Sequence, residues 1–175
     1  SKIVKLDIEK RGENIGYIEG AGDLVPESLR QIGYSVTIID PKEITPEKLS
    51  QYDAIVLGIR AYNIIDELKF KQRFLLDYVK NGGNLIIQYN TNRGLKTDSL
   101  APFDLNVSRD RVTDENAKVT ILNPDHPLLN VPNKITQDDF KGWVQERGLY
   151  FPDSWSKEFT PLLAMNDKGE TPKKG

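Results

Sequence analysis

Cysteine is absent from the sequence, and histidine occurs once, at His126. The first absence excludes structural disulfides, thiolate zinc sites and cysteine nucleophiles. The second excludes a polyhistidine metal site within the chain. Long hydrophobic runs are missing as well. The longest, such as Ala54-Ile-Val-Leu57, are strand-sized and far short of a bilayer span, so no membrane insertion is expected. Neither sign of charge dominates: the net charge is −2, with both signs interspersed. The basic face of a nucleic-acid binder is therefore lacking, and nucleic acid is not an expected partner. No serine sits in a Gly-x-Ser-x-Gly elbow, and no Walker-type phosphate loop occurs. Neither a signal peptide nor a lipidation motif follows Ser1-Lys2, so the compartment is not legible from composition.

What is present fits one globular α/β unit. The chain has 175 residues, 38% hydrophobic and 29% charged, within the ordinary range for a domain with a single core. Its first ninety residues alternate strand and helix signals. The segment Glu13–Glu19 reads as a strand ending in Gly20-Ala21-Gly22. A helix follows, with Asp23 as N-cap, Pro26 in its first turn and Gly33 at its stop. Tyr34–Ile39 and Asp53–Leu57 are further strands, separated by a helical turn at Thr45–Leu49. Asp66 is expected to cap the clearest helix, where Phe70, Phe74, Leu75, Tyr78 and Val79 recur at helical spacing, and Glu67 and Lys71 form an exposed pair. Asn81-Gly82-Gly83 ends it, and Asn84–Tyr89 is the fourth strand. Apolar strands alternating with helices imply a parallel sheet covered on both faces, doubly wound in the order 2-1-3-4.

After Asn90 the rhythm breaks. Residues 91–118 are polar and loop-rich. Lys118–Leu122 and Pro161–Met165 read as strands, with an amphipathic segment at Thr136–Val144 between them. There is no repeat and no Pro/Gly/Ser linker, so a single domain over 1–175 is expected. Such a sheet usually carries a further strand or helix beyond Lys173-Lys174-Gly175, which suggests a unit excised from a larger protein and shortened at its C-terminus.

In an open doubly wound sheet, ligands bind beyond the carboxyl ends of the strands where strand order reverses. That rule brings Glu19–Asp23, Gly58–Asn63 and Gln88–Arg93 to one rim. Arg60, Tyr62, Asn63, Tyr89, Asn90 and Arg93 are the candidate ligand-binding residues, of the kind that read a sugar or a small anion. Polar strand-end loops also occur with no ligand, and Gly20 and Gly22 equally serve a turn. A dinucleotide site is disfavoured, because Val25 stands where the fingerprint needs its third glycine, and Glu19 and Asp23 put carboxylates where a pyrophosphate needs positive potential. No cofactor is expected. Candidate acid/base groups reduce to His126 with Glu146 or Asp139, although a lone histidine before Pro127 is commonly a structural hydrogen-bonder. Trp143, Tyr150, Phe151 and Trp155 form an aromatic group that either stacks on sugar rings or closes a core.

Gly58-Ile-Arg-Ala-Tyr-Asn63, Tyr78-Val-Lys-Asn-Gly-Gly83 and Asn84-Leu-Ile-Ile-Gln-Tyr-Asn90 resemble class I glutamine amidotransferase-like domains, a flavodoxin-like three-layer sandwich. The likeness is nearer to the trehalose-utilisation (ThuA-like) branch, whose later His-Pro pair and acidic-aromatic motif are similar to Asp125-His126-Pro127 and Glu146–Tyr150. That branch has a histidine where Tyr89 stands. The runs 108–115, 125–128 and 142–151 further resemble the C-terminal region of bacterial proteins that begin with a PIG-L/LmbE-type deacetylase domain. The resemblance implies an accessory domain of a multidomain, often exported hydrolase, hence a periplasmic or extracellular setting. The zinc chemistry of those proteins lies in the other domain; Leu128 and Leu129 stand where its motif has aspartates, so no metal ligand carries over. In amidotransferases a Gly-x-Cys-x-Gly elbow follows the strand that here ends at Tyr89. Gln88-Tyr-Asn-Thr-Asn92 has no thiol there, so glutamine hydrolysis is excluded by chemistry.

The expectation is therefore a non-catalytic accessory domain contacting carbohydrate or a partner domain through its rim. The alternatives are a trehalose-utilisation-type enzyme using His126 and Glu146, and a structural or oligomerising module whose rim is filled by residues 91–115.

Overall fold

A computed structural model describes residues 7–142 and 148–175. Four strands, β1 (Asn14–Ile18), β2 (Ser35–Ile38), β3 (Ala54–Leu57) and β4 (Asn84–Ile87), form a fully parallel sheet of order β2-β1-β3-β4. The expected doubly wound order is the one observed. The register is continuous, with Tyr17 opposite Val56 and Leu57 opposite Ile87.

Alternation along each strand divides the core into two layers. Ile18, Ile55 and Leu57 face α2 (Pro46–Leu49) and α4 (Leu68–Lys80), packing with the fully buried Leu49, Leu68 and Leu75. Ile15, Tyr17 and Val56 face the opposite way, against Val25 and Leu29 of α1 (Val25–Gln31). Each of these side chains contributes about 1.5–3 kcal/mol by leaving water. On the α1 side the sheet is incompletely covered at its edge, where Ile86 of β4 stays 55% exposed.

Local chemistry explains most boundaries. Pro26 sits at the start of α1, Thr45 accepts the Lys48 N–H at 3.2 Å to cap α2, and Gly33 takes φ +96° after α1. Two expected caps differ. Leu24, not Asp23, holds the cap position of α1, without a side-chain bond. Asp66 does not close the N-terminus of α4; Glu67 occupies the cap position without a side-chain bond, and Asp66 pairs with Lys96 at 2.6 Å. A short helix at the strand end, α3 (Ala61–Ile64), is an addition to the expected elements.

The region from 91 onward is more ordered than its polarity implies. It contains β5 (Leu105–Val107), β6 (Arg111–Val112), β7 (Thr120–Ile121), β8 (Gly148–Leu149), β9 (Pro152–Trp155), β10 (Leu163–Met165) and β11 (Lys173–Lys174). These make antiparallel ribbons β5-β9 and β6-β8 and a small sheet β11-β10-β7. Val112, Ala117, Val119, Phe151 and Met165 form a separate apolar cluster beneath them. The expected amphipathic segment is a 3-10 turn, Gln137–Phe140, closed by a reciprocal Thr136–Asp139 capping box. Val144, its expected end, lies outside the described residues.

Candidate ligand-binding site

The carboxyl ends of β1, β3 and β4 meet as the topology requires, and two glycines allow them to meet closely. A side chain at Gly20 would collide with the Ile59 carbonyl oxygen, and one at Gly58 would lie 2.6 Å from the Gly20 nitrogen. The contact is locked by Ala21 N–H donating to Ile59 O at 2.8 Å. Gly20 is thus a packing residue between two loops.

Beneath this junction lies a polar network that sequence reasoning missed. The buried Tyr17 hydroxyl donates to the Asp23 carboxylate at 2.6–2.7 Å and accepts from Gln88 Nε2 at 2.7 Å. Asp23 also accepts the Val25 N–H at 2.9 Å and the Ile59 N–H at 3.4 Å, so it joins α1, β1 and the β3 loop. It was expected to cap α1, but Leu24 holds the cap position, and Asp23 ties the helix start to the strand ends instead. Burial, followed by the Asp23 hydrogen bond and charge, pushes the Tyr17 hydroxyl well above its usual value near 10.

Two outcomes follow from this network. Tyr17→Phe should lower stability by about 2 kcal/mol in urea unfolding, since it removes a buried hydrogen bond to a charged group. Because the folded-state value is raised, the stabilisation is fully present below the unfolded value near 10. It is lost as pH rises through the folded value, while the unfolded chain ionises first. Alkaline titration should therefore show a fraction of the phenolate absorbance that emerges only with unfolding. Tyr62 and Tyr78 are shifted in the same direction by burial and contribute to it. Free titration of every tyrosine in the folded protein would overturn the assignment.

Three of the six expected rim residues are struts. Asn90 is buried at 4% exposure; its Oδ1 accepts the Tyr62 N–H at 3.0 Å and its Nδ2 donates to Gln88 O at 3.0 Å. Asn63 accepts the Thr91 N–H at 2.9 Å and donates to the carbonyls of Thr91 and Arg93 at 3.2 and 2.9 Å. Tyr62 is fully buried, its hydroxyl included. Gln72, the nearby amide, is committed to Ser99 O at 2.7 Å. The expectation that Tyr62, Asn63 and Asn90 read a ligand is corrected on this physical ground: their polar atoms are buried or spent on neighbouring backbone. Asn90, just past the end of β4, thus acts as a brace.

Arg60, Tyr89 and Arg93 remain exposed, and Tyr89 is the focus of the site. Among the described residues, two non-glycines have left-handed backbone: Arg60 at φ 58° and Tyr150 at φ 53°. Both touch Tyr89. Arg60 N–H donates to Tyr89 O at 2.8 Å, and the Tyr150 ring lies parallel to the Tyr89 ring, with centroids 6.3 Å apart and planes 5° apart. Such backbone costs of order 1–3 kcal/mol per residue and concentrates at functional positions. Beside the two rings opens a cavity of about 280 Å³, walled by Leu85, Ile87, Leu100 and Leu105. Gln88 also borders it, with its Nε2 held by Tyr17.

Of the candidate acid/base groups, His126 and Asp139 are each bonded within their own turn. His126 Nδ1 accepts the Leu128 N–H at 3.2 Å, and Asn130 Nδ2 donates to His126 O at 3.0 Å, so the histidine caps the 3-10 turn Pro127–Leu129. Asp139 is engaged in the Thr136 capping box. Glu146 and Trp143 lie outside the described residues.

No protein-family model and no curated protein sequence matches the chain. Among solved structures, a Thermoplasma acidophilum protein provisionally described as one of the subunits of GMP synthase is similar at a TM-score of 0.50 and 14% identity. The match covers 92% of this chain and 81% of that one. At this identity the likeness shows the fold alone: an α/β, flavodoxin-like sandwich.

Proposed function

We propose that this chain is a single non-catalytic accessory domain that binds carbohydrate at Tyr89. The observation that supports the reading best is the convergence of both left-handed non-glycine residues, Arg60 and Tyr150, on one exposed aromatic beside an open cavity. An apolar wall and an aromatic plate suit the C–H face of a sugar ring, while Gln88 and the exposed Arg60 and Arg93 supply hydrogen bonds to its hydroxyls. Glutamine hydrolysis has no thiol at the strand end, and Asn90 is buried there. The resemblance of residues 108–115, 125–128 and 142–151 adds the setting: the C-terminal partner of a PIG-L/LmbE-type deacetylase domain in one polypeptide.

A structural module is the second reading, favoured by the Asn63, Asn90 and Thr91 braces that fill the α3 side of the rim. A thermal-shift screen against mono- and oligosaccharides separates the two. A sugar at a hundredfold excess over its Kd stabilises by about 2.7 kcal/mol, or about 5–10 °C for a domain of this size. Arg60→Asn, which keeps a residue tolerant of left-handed backbone, should weaken that shift. Absence of any shift across the panel supports the structural module instead.

A further inference from the structure

We infer that the Tyr89 cavity is one end of an extended groove for a linear β-linked oligosaccharide, an inference that rests on the carbohydrate reading above. Three cavities run side by side and share walls. The Tyr89 cavity meets a second, of about 120 Å³, at Leu105 and Phe159. The second meets a third, of about 360 Å³, at Trp155 and Lys174. Aromatic residues therefore border each cavity in turn: Tyr89 with Tyr150, then Phe159, then Trp155.

The β5-β9 ribbon is what aligns them. Leu105 lies directly opposite Trp155 in its register, so both side chains stand on one face of the ribbon. Phe159 is held edge-on by Phe103, with centroids 6.2 Å apart and planes at 84°. The polarity changes from end to end. The first two cavities are largely apolar, while the third is bordered by Asp110, Asp153, Thr171 and Lys173. Asp153 is fixed there by Asn106 Nδ2 at 2.6 Å.

That pattern selects a class of ligand. An all-equatorial β-linked chain presents flat C–H faces at successive rings and a girdle of hydroxyls around them. Its faces fit successive aromatic plates, and its hydroxyls fit the mixed carboxylate, hydroxyl and ammonium groups at the far end. The three cavities are separately near or below the lower part of the range for ligand pockets, about 300–1,000 Å³, whereas a ligand spanning all three draws on their combined space. A monosaccharide in the Tyr89 cavity would leave Trp155 unused.

Isothermal titration of the full chain with cello- and chito-oligosaccharides, from monosaccharide to hexasaccharide, tests the groove. Affinity should rise roughly tenfold for each aromatic plate reached and then level off. Trp155→Ala should abolish the gain with length while leaving monosaccharide affinity within about twofold. Asp110→Asn, at the exposed far end, should weaken only the longer chains and serves if Trp155→Ala does not fold. Monosaccharide binding with no dependence on length, or a Trp155→Ala loss equal at every length, overturns the groove and leaves the single-ring site standing. No binding by the folded wild type at any length overturns the carbohydrate reading and the groove with it.

Discussion

Gly20→Ala should lower the stability of the domain by about 3 kcal/mol, moving the urea midpoint down by about 1–2 M. The new methyl would occupy the position of the Ile59 carbonyl oxygen, and that atom belongs to backbone that cannot swing aside. Relief requires β1 and β3 to separate at their carboxyl ends. Ala21 N–H and Ile59 O, the Asp23 contact with Ile59 N–H, and the Arg60 N–H bond to Tyr89 O would all stretch together. Gly22→Ala is the informative control. Nothing lies within 4 Å of its added methyl, but its φ of +95° is unfavourable for an L side chain, so the expected loss is about 1–2 kcal/mol. A phosphate-approach role for Gly20 would give the opposite pattern, with stability retained and anion binding lost. Gly20→Ala with wild-type stability would therefore sink the packing account.

The parallel sheet was legible because its strands are continuous apolar runs bounded by glycine, proline or aspartate, and because α4 carries a long helical period. The short antiparallel ribbons were not. β5 and β9 have three and four residues and are joined across Leu105 and Trp155, too short for alternation to register and too distant for a turn signal. Topology brings the expected loops to one rim, yet it does not tell which of their side chains face outward. An asparagine at a strand end looks the same whether its amide meets water or the backbone of the next loop; only tertiary placement puts Asn63 and Asn90 among carbonyls. The left-handed backbone of Arg60 and Tyr150 was invisible for a related reason. Glycine, asparagine and aspartate advertise that conformation, and arginine and tyrosine do not. Tyr17 and Asp23 carried a faint signal, a tyrosine on a buried strand face and an acid beyond the following turn. Their pairing became evident only with the β1 loop folded onto β3. His126 admits two readings from sequence, catalyst and hydrogen-bonder, and its Leu128 contact is the second of these.

Tyr89→Ala is expected to reduce carbohydrate affinity about 10–100-fold while changing stability by less than about 1 kcal/mol. The asymmetry comes from where the residue's interactions lie. The residue is 41% exposed and, among the described residues, its ring stacks on Tyr150, so truncation removes a plate from the cavity wall and little from the core. Its structural contribution is the backbone carbonyl that accepts from Arg60, which alanine retains. Asn90, one residue on, has the reverse profile. Asn90→Ala leaves the Tyr62 N–H buried without its acceptor, so it should cost about 1–3 kcal/mol of stability, with binding lost only as far as the fold loosens. Measuring both variants by urea unfolding and by titration with the sugar that stabilises the wild type separates plate from brace. If Tyr89→Ala binds like the wild type, the ligand is not held at this strand end, whatever else the fold retains. If Asn90→Ala loses affinity at unchanged stability, the amide would have to be a ligand contact, contrary to the bonds it makes with Tyr62 and Gln88.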